Sequence, residues 1–254
     1  ALNGLPPKVD YEVYAEFQGK ESRRRVVSSF LNRQDNVVNF ELDVAIIPRN
    51  ADLELDDDGP RFNTFDLVQI RGSFELPPGI PAPIPAVLLL HGYGENRLAW
   101  TGLEARLLRD GWAVMAIDLR GHGLSKTKNR EPIEAQLDWR MDSQQFPLDV
   151  GPALDWLKSQ ARLDSNRIVV MGTDVGANLA LIASGRFSEV YTVVAINPDM
   201  GEALSMSGSA QDFIPRSALL MVADQEVGHQ IRNYINGPSR IVTLPIDGGT
   251  TAWL

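Results

Sequence analysis

The sequence predicts an α/β fold: a mostly parallel β-sheet flanked by helices, preceded by an N-terminal β extension. Three observations predict it. From Ala86 onward, short runs that are apolar on both faces alternate with amphipathic segments, which implies a parallel sheet covered on both sides. Glycine-rich turns follow three of these runs directly, and the carboxyl ends of strands are where such sheets place their sites. Residues 1–64 read differently, with β-type patterns between polar breaks.

The elements follow in order. Tyr11–Phe17, Asn39–Pro48 and Phe65–Phe74 carry β-type patterns, and Ser22–Leu31 suits either a short helix or a strand. The acidic run Asp56-Asp57-Asp58 before Gly59-Pro60 reads as a solvated turn; a calcium loop needs further spaced oxygen ligands. Leu76–Pro85 holds five prolines, each fixing φ and removing a donor, so it reads as a stiff extended connection rather than a proline-recognition motif. The strands expected beyond it are Ala86–Leu90, Trp112–Asp118, Arg167–Met171, Val190–Asn197, Ala218–Ala223 and Arg240–Leu244. Helices are expected near 97–110, 143–160, 176–186 and 225–236; in the second, Phe146, Val150, Leu154 and Leu157 recur at helical spacing. Two parts result, a β-rich extension over 1–64 and an α/β domain over 65–254.

The 254 residues suffice for one large domain with a substantial core. The composition, 44% hydrophobic and 22% charged, is that of a soluble globular protein. A net charge of −9 argues against a nucleic-acid partner and offers no basic stripe to anionic membranes. The absence of cysteine removes thiol nucleophiles, disulfides and thiolate metal sites. No apolar run approaches the roughly 20 residues of a membrane span. The chain begins at Ala1 rather than Met, so an upstream segment removed by a signal peptidase, or by design of the expressed chain, is expected; export is one reading of this.

Three motifs carry chemistry. His91-Gly92-Tyr93-Gly94 follows the first apolar strand, and its glycines let backbone N–H groups face a cavity. Asp118-Leu119-Arg120-Gly121-His122-Gly123-Leu124-Ser125 follows the second; Asp118 and Arg120 can fix that loop, and His122 reads as structural. Gly172-Thr173-Asp174-Val175-Gly176 lies between Arg167–Met171 and a helical pattern, so Asp174 is held out above the sheet on a strained turn.

In this order and spacing the motifs resemble the α/β-hydrolase family over about residues 65–254, in particular its esterase-like and dienelactone-hydrolase-like members. The resemblance implies a nucleophile elbow at Asp174, where the family normally carries serine, and an oxyanion hole from the backbone N–H groups of Tyr93 and Val175. It implies a catalytic acid at Asp224 or Glu226. The catalytic histidine's place, in Leu244–Thr251, falls on Gly249.

The loss of histidine decides more than the loss of serine. A serine hydrolase needs imidazole to take the nucleophile's proton and return it to the leaving group. The chain has three histidines; His91 and His122 sit in turns, and His229 reads as an exposed or capping helix residue rather than a substitute base. Family members with aspartate at the elbow displace halide or open epoxides, yet they too need histidine to release the ester, and they commonly follow the aspartate with Trp where this chain has Val175.

Asp174, Asp224 or Glu226, and Asp247 all map near the carboxyl edge, where they could hold a divalent cation or a cationic ligand. The plainer reading is that Asp224 and Asp247 cap helices or turns. No metal site and no cofactor are expected. The sequence thus supports a non-catalytic pseudo-hydrolase that binds a small molecule or a protein. The alternative is an esterase- or dehalogenase-like hydrolase with Asp174 as an atypical nucleophile.

Overall fold

The computed structural model describes residues 58–133, 144–208 and 213–243 in full, together with the backbone of residue 143 and of four short strands between residues 10 and 28. The chain forms two compact units, Ala1–Asp52 and Leu53–Leu254. In the first, β1 (Asp10–Val13) pairs antiparallel with β4 (Arg25–Ser28), and β2 (Glu16–Phe17) with β3 (Lys20–Glu21). The segment that suits either helix or strand therefore contains a strand. Asn39–Pro48, Asp56 and Asp57 lie outside the described residues.

The second unit is built on a ten-stranded sheet. Its parallel part runs in the order β8 (Ala113–Asp118), β7 (Ile84–Leu90), β11 (Leu163–Thr173), β12 (Val190–Ile196), β13 (Ala218–Val222), β14 (Ser239–Thr243). Beyond β8 lie antiparallel strands: β6 (Val68–Glu75), β5 (Arg61–Asn63), β9 (Thr127–Lys128) and β10 (Glu131–Pro132). All six expected strands of the α/β part form, with ends displaced by a few residues. Arg61–Asn63, on the N-terminal side of the 64/65 boundary drawn from sequence, is paired into this sheet through β6. The β9–β10 hairpin is not foreshadowed by the apolar pattern.

Strand chemistry explains the burial. On β7, Ile84, Ala86, Leu88 and Leu90 enter one core, while Val87 and Leu89 enter the core on the opposite face. Successive strand side chains point to opposite faces, so a run that is apolar at every position needs cover on both. On the second face lies α1 (Thr101–Arg109), contributing Leu103, Leu107 and Leu108 beside the fully buried Trp100. On the first face lie α2 (Val150–Lys158), α3 (Val175–Arg186), α4 (Met200–Ser207) and α5 (Gln225–Arg232). Phe146, Val150, Leu154 and Leu157 are all buried, so the helical spacing read from sequence is the core-facing stripe.

In α3, every residue from Val175 to Ser184 is buried, as expected of a helix apolar on all sides. Helix α4 is absent from the elements expected from sequence. Among the described residues, no helix is long and apolar enough to cross a membrane.

Candidate functional site

Strand order brings the three motifs together. β7 lies between β8 and β11 and is parallel to both, with Leu90 opposite Ile117 on one side and Gly172 on the other. The turns after these strands, 28 and 81 positions apart in their hydrogen-bonded pairs, therefore meet at one carboxyl edge.

The elbow is fixed by its backbone. Asp174 has φ 52° and ψ −119°, a conformation that strains any residue with a Cβ and costs about 1–3 kcal/mol. Its N–H donates to the carbonyl of Ile196 at the end of β12, and its carbonyl accepts from Ala177 and Asn178 at the start of α3. The flanking glycines are steric necessities. A Cβ on Gly172 would stand 2.1 Å from the carbonyl of Gly176, and one on Gly176 would stand 2.1 Å from the carbonyl oxygen of Leu90. Helix α3 thus starts in backbone contact with β7, and Asp174 is carried half-exposed above it.

The Asp174 carboxylate does not simply face outward. Its Oδ2 accepts the backbone N–H of Tyr93 at 3.0 Å, and Glu95 Oε2 accepts the N–H of Gly92 at 3.1 Å. The turn read from sequence as presenting N–H groups to a cavity presents two of them to carboxylates of the chain itself. Val175, the other residue assigned to the oxyanion hole, opens α3 with its side chain fully buried.

Both nearby histidines are committed to holding these turns. His91 is fully buried; its Nε2 accepts the N–H of Leu119 at 2.9 Å and its Nδ1 donates to the Gly92 carbonyl at 2.7 Å. Burial pushes its pKa down to about 3, against the pull of the Gly92 hydrogen bond. His122 Nε2 accepts the N–H of Gly94 at 3.0 Å and Nδ1 donates to the Arg120 carbonyl; burial lowers its pKa as well. Each ring is a neutral tautomer with both nitrogens engaged. The structural role read for His122 matches this geometry.

Around them, Asp118 accepts from the N–H and guanidinium of buried Arg97 and from Leu124 N–H. Ser125 Oγ donates to the Asp118 carbonyl and accepts from Arg71 N–H. The second motif is a turn braced from within.

The remaining sequence-derived residues are spread out. Asp224 is exposed and caps α5, its Oδ1 accepting from Glu226 N–H at 2.8 Å. Glu226 is exposed in the first turn of that helix, and His229 is exposed further along it. Gly249 and Asp247 lie outside the described residues. Among the described residues no three His, Cys, Asp or Glu side chains gather as a metal site requires.

Sequence reasoning missed a cluster on the other side of the elbow. Asn178 is fully buried in α3; its Oδ1 accepts the N–H of Asp199 at 2.8 Å and its Nδ2 donates to Glu202 Oε2 at 3.3 Å. Asp199 caps α4, accepting from Glu202 N–H at 3.0 Å. Burial raises the pKa of Glu202, and the charges of Asp199 and Asp174 raise it further. The signal was an acid cap with a second acid three residues on, Asp199-Met200-Gly201-Glu202, which marks a helix start.

Comparison with known proteins agrees with this fold. A family model described as alpha/beta hydrolase fold matches residues 85–224. Protein phosphatase methylesterase 1 of Mus musculus is 43% identical over 133 residues, which are 51% of this chain and 32% of that protein. The chain thus spans about a third of the length of the curated relatives it matches. An acetyl xylan esterase from Paenibacillus sp. R4 superposes with a TM-score of 0.61 at 21% identity, over 75% of this chain and 77% of that one. A dienelactone hydrolase from Anabaena variabilis gives 0.58 at 19% identity, over 79% and 94%. At these identities the structural likeness shows the fold alone.

Proposed function

This chain belongs to the α/β-hydrolase fold family, and from that premise we propose that it is a pseudo-hydrolase, which keeps the elbow and its turns as a binding site and does not turn over esters. One observation carries the reading: Asp174 Oδ2 accepts the Tyr93 N–H at 3.0 Å. Acyl transfer needs that donor for the oxyanion that develops on the substrate. Here it is already satisfied, and by a fixed negative charge. Like charges about 4 Å apart repel by about 4 kcal/mol at an effective dielectric of about 20. That offsets most of what one good oxyanion donor contributes, about 3–4 kcal/mol.

Proton transfer gives the second support. The imidazoles of His91 and His122 are neutral and held by backbone groups at both nitrogens, so neither can take a proton from a nucleophile without releasing a turn. The same difficulty meets the alternative in which Asp174 itself attacks. A carboxylate is nucleophilic without deprotonation, but water must then be activated to release the ester.

The test is hydrolysis of p-nitrophenyl acetate by the purified chain beside Asp174→Ala. Both rates are expected to equal the buffer blank. A wild-type rate that disappears in the variant overturns the reading in favour of Asp174 as nucleophile.

A further inference from the structure

We infer that a cleft on the second face of the sheet, with Arg167 at one end, binds a linear alkyl carboxylate. The two faces of the sheet are unequally covered. Helices α2 to α5 lie on the first face; among the described residues, α1 and the turn leading into it are what cover the second. Strands β11 and β12 are nonetheless apolar toward both faces. On the second face Val169 and Met171 remain half-buried, and Tyr191 is 49% exposed. They border a cleft of about 360 Å³, a volume within the range of small-molecule sites. An apolar surface of this kind rimmed by charge marks a place where something binds.

Strand register builds the cleft. Val87 on β7, Val169 on β11 and Thr192 on β12 stand side by side, and two residues further on Met171 pairs with Val194. These make the floor; Leu107 of α1 and Trp112 form one wall and Tyr191 the other. Ile168 pairs with Val190 but Val169 with Thr192, so Tyr191 is an extra residue on β12. A bulge re-aims a side chain, and here it lets Tyr191 and its neighbour Thr192 both border the cleft.

Polarity is confined to one end, and this sets the ligand class. The Thr192 hydroxyl is already engaged with Ser217 Oγ at 2.7 Å, and the floor is otherwise valine and methionine. A ligand body rich in hydroxyls would lose its hydration there without replacement, whereas an alkyl chain has none to lose. At the other extreme, Arg167 lines the cleft and the Arg216 guanidinium stands 6.0 Å from the centre of the Tyr191 ring. Among the described residues no acid lines this cleft, and no ion pair includes either arginine. The chain as a whole holds 33 acids against 24 lysines and arginines, so a cationic end without an acid is a local feature. A guanidinium presents paired N–H donors that match a carboxylate. From Arg167 to Met171 the strand advances about 13 Å, and with C–C bonds of about 1.5 Å a chain of about ten carbons covers that length.

The experiment is calorimetric titration of sodium decanoate, kept below micelle formation, into the wild-type chain, Arg167→Gln, Val169→Phe and the control Arg130→Gln in the distant β9–β10 hairpin. Decylammonium chloride and sodium acetate serve as reference titrants, the first with the same chain and opposite charge, the second with the head alone. Circular dichroism confirms that each variant is folded. The wild type and the control are expected to bind decanoate saturably and acetate not at all. Arg167→Gln removes a charge-assisted pair and is expected to weaken binding by about tenfold or more; Val169→Phe fills the floor and is expected to abolish it. If Val169→Phe does not fold, the exposed Arg167→Gln alone decides. Decanoate heat indistinguishable from that of acetate overturns the inference, as does binding that Arg167→Gln leaves unchanged or that decylammonium matches. Binding seen only after residues 250–254 are removed overturns it in favour of the chain's own end as the occupant.

Discussion

Arg120 donates its backbone N–H and its Nε to the two carboxylate oxygens of Asp149, each over 2.8 Å, where neither residue meets solvent. Asp66 accepts from the same guanidinium at 3.0 Å. Burial works against the Arg120 charge, and Asp149 and Asp66 more than offset it, raising its pKa above the ordinary value. The pair joins the turn after β8 to the segment leading into α2, and so holds His122 and the elbow mouth in register. Asp149→Ala would leave the buried guanidinium with only Asp66 and Gln145 as side-chain partners. It is expected to cost about 3–5 kcal/mol, the usual result of breaking a buried pair from one side. Urea unfolding followed by tryptophan fluorescence checks this; a loss below 1 kcal/mol would mean that Asp66 and Gln145 suffice.

Gly176→Ala tests the elbow's steric floor. The new methyl would meet the Leu90 carbonyl at 2.1 Å and that of His91 at 2.7 Å, both backbone atoms that cannot rotate away. Overpacking typically costs about 1–3 kcal/mol, and the upper end or beyond is expected here. Gly94→Ala is the contrast. Nothing lies within 4 Å of its Cβ position, and only φ +77° opposes the change, so about 1 kcal/mol is expected. The same denaturation assay ranks the two, and equal losses would remove the steric account of Gly176.

These two pairs mark what could be read in the sequence and what could not. Gly172 and Gly176 were legible because a strand, a tight turn and an apolar helix leave their trace within a dozen residues. So were the strands, whose apolar runs answer to a sheet buried on both faces. The strand placed at Phe65–Phe74 starts later, at Val68. Thr64 Oγ1 donates to Asp66, Leu67 takes φ 69°, and Phe65 stands 94% exposed, so apolar residues occupy a turn. Asp149 was not legible at all, because its partner lies 29 residues away and the pairing exists only once the sheet is assembled. Asp224 drew attention at the family's acid position. Asp199 and Glu202, at the cap and first turn of α4, are the acids tied to Asn178 and to the charge of Asp174.

Stability should depend on pH through Glu104. Burial, then the charge of Glu75, push its carboxyl up to about 7 against the pull of Arg97 and Ser73. The folded pKa exceeds the unfolded value of 4.5, so the folded chain holds this proton more tightly. The contribution is therefore fully present below pH 4.5 and is lost as pH rises through about 7. Glu104→Gln keeps the shape without the charge. At pH 8 the variant is expected to be more stable by on the order of 2 kcal/mol, and the gap should close as pH falls toward 4.5. Thermal unfolding of both chains at pH 5 and pH 8 measures it; a gap that is equal at the two values would show that the carboxyl is not displaced.

Restoring the chemistry tests the reading of the elbow from the opposite direction. Asp174→Ser removes the carboxylate from the Tyr93 N–H and supplies a hydroxyl nucleophile on the same strained turn. It supplies no base, since His91 and His122 remain tied to backbone groups at both nitrogens. Turnover of p-nitrophenyl acetate by this variant is expected to stay near the blank. Gly249→His restores imidazole at the position that the family resemblance gives to the catalytic histidine, and alone it too should do nothing, because the Asp174 charge still fills the oxyanion donor. Together the two substitutions should raise the rate over Asp174→Ser by about 10²–10⁴-fold, the usual contribution of general acid–base transfer. If Asp174→Ser alone matches the double variant, a base is already in place. Adding His229→Ala then identifies it, since His229 is the one histidine not held in these turns.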